Sequence, residues 1–446
     1  MMNQRFLLSS PTVSLIIIID LLSTFLCSNV ILGQQLILIQ LPGFKNRLIS
    51  QRVFSVNDFG AKGDGCTNDT EAFRSAWDVA CALPFRSRIV VPAGNKYLIG
   101  PIDFAGPCRS KIAFKISGTI VAPKDPDVWH GSNRRRWLYF HGVKHLTLEG
   151  GGVINGMGEE WWARSCKINI TNPCRHAPTA ITFHKCKDLK VRNLMMQNSQ
   201  QMHMAFTNCI RVTASHLEVI APTTSPNTDG IHISASTKVE IKSAIITTGD
   251  DCISIVSNSS KLRIRDITCT AGHGISIGSL GKYNSQDQVY DVRVEGAFLS
   301  NTDNGLRIKT WQGGSGFARK ISFRDVIMEN VSNPIIIDQY YCDSLFPCPN
   351  QTLAVKVDNI SFKNIQGTSA TEEAIRFACS ESSPCEEIHL EDIKLFLSSG
   401  GITSAFCWEA RGFSSGPVYP PPCFSCSESF IKEKSLSGNV LHSASR

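Results

Sequence analysis

The 446-residue sequence has little charge, and that charge is spread thinly. Charged residues make up 19% of the chain, and 45 basic against 38 acidic residues give a net charge of +7. The one basic cluster, Arg134–Arg136, is short. Since a basic helix, an aromatic-studded sheet and paired zinc motifs are all missing, no nucleic-acid partner is expected. The positive balance favours an anionic partner of another kind.

Long apolar runs are missing as well. No 18 consecutive residues are apolar, so a membrane-spanning helix is not expected. A shorter apolar stretch that includes Val13–Ile19 follows Arg5 and is interrupted by Asp20, a pattern typical of a signal peptide. We predict a signal peptide over residues 1–33, with its cleavage site left open, a short segment over 34–52, and a secreted chain without a membrane partner.

Cysteine, by contrast, is plentiful, with 17 residues. Cys27 lies in the predicted signal peptide, which leaves an even 16, and the single late CxxC is not paired with a second. We therefore predict disulfides formed in an oxidising compartment rather than a zinc site. Closely spaced candidates are Cys342 with Cys348, Cys379 with Cys385, and Cys423 with Cys426. Six glycosylation sequons agree with an extracellular protein; they begin at Asn68, Asn169, Asn258, Asn330, Asn350 and Asn359.

Helical periodicity is confined to one segment near the start of the chain. After Asn68–Glu71, apolar residues recur at spacings of three and four, which predicts an amphipathic helix over residues 70–82. Past Ile89 this period disappears, and short β-branched runs separated by Gly, Asn and Asp take its place. The rest of the chain is therefore predicted to be all-β.

These β runs repeat. Three align at offsets of 22 residues, and later members follow at irregular spacing: Asp229–Ile233, Asp251–Ile255, His273–Ile277, then Asn304–Ile308, Asn333–Ile337 and Ala374–Phe377. Such a repeat indicates stacked coils, whereas strands of a β-sandwich would not repeat their apolar positions in phase. We predict a right-handed parallel β-helix over 53–410, capped at its N-terminal end by the helix, and an irregular tail over 411–446.

Acidic residues occur in the same phase of this repeat. Asp229, Asp251 and His273 each lie two places before the first Ile of their coil, so stacking at about 4.8 Å should place them in one column with Asp250 beside it. Clustered carboxylates should raise at least one pKa. An inverting glycosidase uses such a set, because one carboxyl protonates the leaving oxygen while another carboxylate activates water. Taken singly, each motif is more typical of a turn or a solvated loop than of a catalytic site.

Two cations follow on the next aligned strand. Arg307 and Lys309 flank Ile308, so their side chains point from one face of the strand. That position is beside the carboxylates, where the cations could bind the carboxylate of an acidic sugar. Isolated residues of these types would pass for ordinary surface charges.

Four short blocks resemble the signature motifs of the polygalacturonases, glycoside hydrolase family 28, in that family's order. The blocks are Asn227–Gly230, Gly249–Cys252, Gly272–Gly274 and Arg307–Lys309. The resemblance covers roughly residues 53–410 and includes Phe59–Gly65 near the start and Asp338–Cys342 later. The many cysteines and sequons are similar to those of plant members.

The resemblance implies hydrolysis of α-1,4-galacturonosyl linkages in polygalacturonate, or pectin, at the cell wall, by an inverting mechanism without metal or other cofactor. It implies that Asp250 is the general acid and that Asp229 and Asp251 position and deprotonate the water. His273 would support protonation of the acid or contact the substrate. The implied substrate-binding residues are Asn227, Arg307, Lys309 and Tyr341, the last in preference to Tyr340. The implied disulfide joins Cys252 to Cys269, with further loops closed by Cys342/Cys348 and Cys379/Cys385.

Three other interpretations stay open. A pectate lyase would use Asp229, Asp250 and Asp251 as calcium ligands and eliminate rather than hydrolyse. A catalytically inactive β-helix could bind pectin through its basic surface, and a related hydrolase could act on rhamnogalacturonan. Endo or exo action depends on whether loops close one end of the groove. The chain is expected to act as a monomer.

Overall fold

The computed structural model describes residues 51–344 and 346–424. The predicted signal peptide and nearly all of the segment over 34–52 lie outside the described residues, as does the end of the predicted tail. Within the described ranges, no helix is long and apolar enough to cross a membrane.

Two parallel sheets contain the 28 strands of the described residues. The first has 17 strands: β1 (Arg52–Ser55), β2 (Asp64–Asn68), β3 (Ser87–Val91), β4 (Lys96–Leu98), β6 (Ile112–Ile116), β7 (Thr119–Val121), β9 (Leu146–Glu149), β10 (Val153–Asn155), β12 (Lys187–Gln197), β14 (Ile210–Ile220), β16 (Thr237–Thr247), β18 (Ser259–Thr270), β20 (Gln286–Ser300), β22 (Ser315–Val331), β24 (Lys356–Ser369), β26 (Cys385–Leu397) and β28 (Ala410–Tyr419). The second has 11 short strands: β5 (Ile102–Ala105), β8 (Arg136–His141), β11 (Thr179–His184), β13 (Met204–Thr207), β15 (Ile231–Ser234), β17 (Ile253–Ile255), β19 (Ile275–Leu280), β21 (Asn304–Thr310), β23 (Asn333–Asp338), β25 (Glu373–Ala378) and β27 (Ser404–Trp408).

Helices are few. The two α-helices are α1 (Thr70–Ala82) and α2 (Glu159–Ala163), and short 3-10 segments occur at Val56–Phe59, Pro126–Trp129 and Lys282–Asn284. The predicted helix over 70–82 is therefore present with the expected bounds.

The short-strand sheet has the register that the repeat predicted. Ile231, Ile253 and Ile275 are direct partners on neighbouring strands, and the ladder continues through Leu306 and Ile335. Each of these side chains is fully buried, and burial of one such side chain stabilises the fold by about 1.5–3 kcal/mol relative to exposure. The predicted parallel β-helix is confirmed.

The ladder also extends into earlier coils that the alignment on isoleucine did not reveal. There the column that later holds Ile233 and Ile255 is filled by stacked phenylalanines, with ring centroids 4.5–5.5 Å apart: Phe104, Phe140, Phe183 and Phe206. A change from Phe to Ile conserves burial but not residue identity, so the repeat is visible in the sequence only from Asp229 onward.

From β12 onward, the strands of the 17-stranded sheet are long and are interrupted twice. In β16, Lys238 and Ser243 take left-handed backbone conformations five residues apart, and Lys261 and Asp266 do so in β18. The same spacing recurs in the neighbouring coils, so each long strand is divided into three straight segments. A coil therefore has a short strand on one face and a twice-bent strand around the others.

Both ends of the core are covered. At the N-terminal end, Trp77 of α1 packs edge-on against Phe104 and Phe140, and the Cys81–Cys108 disulfide ties the helix down. At the other end, β28 pairs with β26, so the ladder runs to Tyr419 rather than ending at the predicted boundary of 410. The chain then returns, and Phe424 stacks on Phe377 of β25, next to the Cys407–Cys423 disulfide. The first part of the predicted irregular tail is thus ordered, because it completes the core.

The structure contains the disulfides Cys252–Cys269, Cys342–Cys348 and Cys379–Cys385, along with Cys166–Cys174. Cys423 pairs with Cys407 and not with its CxxC neighbour. Cys66, Cys186 and Cys209 form no disulfide within the described residues.

Candidate active site

The floor of the site is a column of polar side chains between the buried isoleucines of the short strands. His232, Ser254, Ser276 and Arg307 are direct register partners. They point outward because the flanking isoleucines point inward. His232 Nδ1 lies 2.8 Å from Ser254 Oγ, and Arg307 Nε donates to Ser276 Oγ at 2.9 Å. Hydrogen bonds thus join His232 to Ser254 and Ser276 to Arg307 across adjacent coils, and the two serines donate to Asp229 and Asp251.

The acidic residues sit in the turns immediately before these strands. The turn of one coil locks onto that of the next, since Gly249 N donates to Thr228 Oγ1 at 3.0 Å and Gly230 N donates to the carbonyl of Asp251 at 2.9 Å. A Cβ on Gly249 would lie 2.1 Å from the carbonyl oxygen of Ser225. Only glycine permits this close approach, which brings the Asp229 turn against the turn that holds Asp250 and Asp251.

Asp251 is the most buried of the three carboxylates, with 3% of its side chain exposed. Arg307 Nη2 donates to Oδ1 at 2.6 Å, Lys309 Nζ donates to Oδ2 at 2.9 Å, and Ser276 Oγ donates to Oδ1 at 2.7 Å. Both cations were expected beside the carboxylates, and both are there. In this structure, however, they neutralise Asp251 rather than standing free for a sugar.

Asp250 is the most accessible of the three, with 16% of its side chain exposed. Its Oδ1 lies 3.0 Å from His273 Nδ1, and His273 Nε2 lies 3.4 Å from Asp303 Oδ2. Burial works to raise the pKa of Asp250, but the hydrogen bond and charge of His273 and the charge of Lys309 outweigh it and lower the pKa to about 2. Burial works to lower the pKa of His273, and its contact with Asp250 outweighs that and raises it. The two groups therefore form an ion pair that holds one proton.

The pKa of Asp229 is shifted in the opposite direction to that of Asp250. Burial raises its pKa, and the negative charge of Asp250 raises it further. Ser254 Oγ donates to its Oδ2 at 2.6 Å, and the buried ring of His203 lies 3.1 Å from its backbone carbonyl. Burial also lowers the pKa of His203 to about 4, which makes it a neutral packing group. A raised carboxyl pKa was expected in the cluster; it belongs to Asp229 and not to Asp250.

The predicted column was only partly right. Asp229 and Asp251 occupy equivalent positions of successive coils, but His273 bonds to Asp250 instead of continuing their column. Glycines with left-handed backbone on both sides of His273, at Gly272 and Gly274, turn this segment away from the strand direction. The imidazole can therefore reach the carboxyl of the preceding coil.

The two remaining predicted residues lie at the edges of the site. Asn227 is half-buried, with a left-handed backbone, in the turn two residues before Asp229. The ring centroid of Tyr341 lies 5.2 Å from Lys309 Nζ, and Trp311 packs against the ring edge-on at 5.7 Å. Tyr341 therefore borders the site next to the carboxylate-bound lysine.

Ligand atoms of Asp250, Asp251 and His273 lie within 4.8 Å of one another, close enough to share a metal ion. Both oxygens of Asp251 are engaged by Arg307 and Lys309, so a divalent cation would have to displace two fixed positive charges. The donor set thus fits a proton-transfer site better than a calcium site, which prefers a shell of free oxygens.

Several site residues were missed by sequence reasoning, chiefly Ser254, Ser276 and His232. A signal existed, because each stands between the two aligned isoleucines of its coil and so must face outward.

A cavity of about 370 Å³ continues from His232 toward earlier coils. Its polar lining includes Arg135, Arg136, Tyr139, His176 and His184.

Comparisons with known proteins point to one family. The model of "Glycosyl hydrolases family 28" matches residues 81–414. A probable polygalacturonase of Arabidopsis thaliana is 58% identical over 405 residues, covering 90% of this chain and 91% of that protein. A polygalacturonase of Persea americana is 53% identical, over 79% of this chain and 76% of that protein.

Among solved structures, an exopolygalacturonase from Thermotoga maritima has the same fold. It superposes with a TM-score of 0.69 at 20% identity, covering 82% of this chain and 90% of the other. With the family match spanning most of the β-helix, and the relatives similar over most of their own length, the chain belongs to glycosyl hydrolase family 28.

Proposed function

We propose that this protein is a polygalacturonase that hydrolyses the galacturonosyl linkages of polygalacturonate outside the cell, in the wall. One observation supports this most: three carboxylates, an ion-paired histidine and two carboxylate-bound cations meet on the outer face of the short-strand sheet. That set provides a proton donor and a water-activating base, and the two cations that neutralise Asp251 also place positive charge beside an acidic sugar. The names of the plant relatives support the choice of substrate.

In the proposed mechanism, Asp250 donates a proton to the leaving glycosidic oxygen. The proton comes from the Asp250–His273 pair; an anionic sugar bound over the pair would favour protonation of the carboxyl. As the bond from the anomeric carbon to that oxygen breaks, water attacks from the opposite side and its proton passes to Asp229. Asp251 positions the water but is a weaker base candidate, because Arg307 and Lys309 occupy its oxygens.

The roles of Asp250 as acid and Asp229 as base can be distinguished with a substrate whose leaving group needs no proton. We expect Asp250→Asn to lower turnover of polygalacturonate by about 10²–10⁴-fold but to retain most activity on galacturonosyl fluoride, because fluoride leaves without a proton. Asp229→Asn should lose activity on both substrates. Initial rates on the two substrates, with circular dichroism as the folding control, provide the measurement. The reverse pattern would exchange the two roles, and near-normal activity of Asp250→Asn on the polymer would refute the mechanism.

Calcium-dependent elimination is the chemical alternative for the same polymer. A lyase forms an unsaturated product that absorbs in the ultraviolet. For the hydrolase we expect new reducing ends without that absorbance, and unchanged rates after treatment with a chelator. Loss of activity on chelation, restored by calcium, would contradict the proposal.

A further inference from the structure

A second groove runs along the long-strand sheet, away from the catalytic residues. It is a cavity of about 630 Å³ that crosses strands β9 to β20, and it shares no lining residue with the site described above. Its rim is the first of the two left-handed bends of each coil. The catalytic groups come from the short-strand sheet, so the two grooves lie on different faces of the β-helix.

The lining of this groove is strongly basic. Its charged residues comprise seven Lys and Arg but only three carboxylates: Arg86, Lys111, Lys190, Arg211, Lys238, Lys261 and Arg263 against Asp188, Glu240 and Asp291. Arg211 is paired with Asp188, and Arg263 with Asp291. Within the described ranges, the other five cations lie beyond 4 Å of any carboxylate, and all five are exposed. The groove thus holds uncompensated positive charge.

The stacking of coils places five of these cations in one line, which also contains His145 and the two paired carboxylates Asp188 and Asp291. By strand register, Arg211 is followed by Lys238 and then by Lys261 on successive coils, and Lys111 lies beside Arg86 at the other end. Coils repeat at about 4.8 Å, so the eight coils from Arg86 to Asp291 span about 34 Å. A repeat of this size is comparable with one sugar of an extended 1,4-linked chain, which makes the line suited to a linear polyanion.

We infer that this groove is a second, non-catalytic binding site for an extended acidic polysaccharide. It holds a segment of a uronate chain while another segment lies in the catalytic groove. The identity of the polyanion rests on the proposed function, since the polymer that the enzyme cuts is itself a line of carboxylates. Neutralising such a chain releases its counterions, so binding here should weaken steeply with salt.

The test uses the full chain with Asp250→Asn, which binds polymer without cutting it. Adding Lys238→Glu and Lys261→Glu should weaken binding to long polygalacturonate about tenfold at low salt and flatten its salt dependence. Binding of trigalacturonate at the catalytic site should stay unchanged, because Lys238 and Lys261 do not line that site. In the chain with Asp250 intact, the same pair should leave trigalacturonate turnover unchanged and release the enzyme from insoluble pectin.

The matched control is Lys62→Glu with Lys394→Glu, an equal charge change at exposed lysines outside the groove. An equal loss of binding in this control would mean that net charge alone is responsible, and would overturn the inference. Unchanged binding of polygalacturonate by the groove variant would also overturn the inference. So would a groove variant that binds duplex DNA more weakly while its binding of polygalacturonate is unchanged. The two proposals can fail separately. If the chain with Asp250 intact does not cut polygalacturonate, but the groove substitutions weaken polymer binding, the second binding site is supported and the proposed function is refuted.

Discussion

At the scale of single residues, the Asp250–His273 pair sets the protonation of the site. One proton is shared across 3.0 Å, with the carboxyl pKa lowered to about 2 and the histidine pKa raised. Asp229, which must be ionised to act as a base, has its pKa raised instead. Activity should therefore rise with pH through the Asp229 pKa and fall through the raised His273 pKa.

Replacing His273 tests this assignment. In His273→Asn, the group that lowers the pKa of Asp250 is removed and burial remains, so the carboxyl must hold the proton itself. A carboxyl loses its proton at lower pH than an ion-paired histidine, so the alkaline limb of kcat/KM should move to lower pH and the maximum should fall by about 10²-fold. The pH profile, measured against a His389→Asn control on the distant strand β26, provides the check.

The same pair contributes to stability over a defined pH window. Its contribution is fully present between the ordinary pKa of aspartate and the ordinary pKa of histidine. It is lost as pH rises through the raised pKa of His273, and it is lost as pH falls through the lowered pKa of Asp250, at about 2. In the pH profile of kcat/KM described above, an unchanged alkaline limb for His273→Asn would show that the proton given to the leaving oxygen does not come from the Asp250–His273 pair.

The two cations bound to Asp251 have a second role that affects how their variants are interpreted. Lys309 and Arg307 compensate the charge of Asp251, whose side chain is 3% exposed. Removing one would leave a buried carboxylate partly unpaired, which is costly. Weaker substrate binding in Lys309→Ala would therefore combine the loss of positive charge near the sugar with a disturbed Asp251 carboxylate.

At the scale of elements, the turn before each short strand decides where the catalytic groups lie. Gly274 ends the turn that presents His273, with a φ of +75°, and a Cβ there would meet the carbonyl oxygen of Asn304 at 1.9 Å. Gly131 has nearly the same φ, +78°, but a Cβ there would meet nothing within 4 Å. Comparing alanine substitutions at Gly274 and Gly131 therefore separates the free-energy cost of a left-handed backbone from the cost of a clash with the next coil.

We expect Gly131→Ala to destabilise the fold by about 1–2 kcal/mol, the cost of a left-handed alanine. Gly274→Ala should cost about 3 kcal/mol or more, because the next coil must also move, and should lower activity by displacing His273. Thermal unfolding midpoints and rates of polygalacturonate hydrolysis provide the comparison. Equal midpoints for the two variants would contradict the role of coil stacking.

At the scale of the whole molecule, the β-helix is a single stack whose weak points are its ends. Each coil contacts only its neighbours, so unfolding can begin wherever a terminal coil is exposed. A disulfide secures the covering segment at each end: Cys81–Cys108 holds α1, and Cys407–Cys423 holds the return of the chain at Phe424. These two bonds protect the ends of the core.

Removal of an end disulfide should therefore cost more than removal of a disulfide in a surface loop. In the chain-entropy description, the loop of 27 residues closed by Cys81–Cys108 stabilises the fold by about 3–4 kcal/mol. The loop of 8 residues closed by Cys166–Cys174 contributes about 2–3 kcal/mol. We expect the double serine variant of the first pair to lower the unfolding midpoint more and to expose α1 to proteolysis. Intact protection of the helix would contradict this.

Much of the fold could be predicted from local patterns. The three- and four-residue spacing after Thr70 defined α1, and the repeat from Asp229 onward defined the stacked coils. The coils before Asp229 were included in the predicted β-helix, but their register was not predicted, because burial accepts Phe as well as Ile at the same position. The tail past residue 410 was not recognised either, since its strand forms only by pairing with β26.

The sequence by itself determined which residues share a phase of the repeat, and hence that Asp229, Asp250, Asp251, His273, Arg307 and Lys309 meet. That follows because a parallel stack converts equal sequence phase into spatial adjacency. Only the tertiary structure decided how these groups pair: His273 with Asp250, both cations with Asp251, and the raised pKa at Asp229. It also aligned the basic residues of the second groove. Pairing, burial and charge depend on atoms from several coils, and spacing along one chain does not specify them.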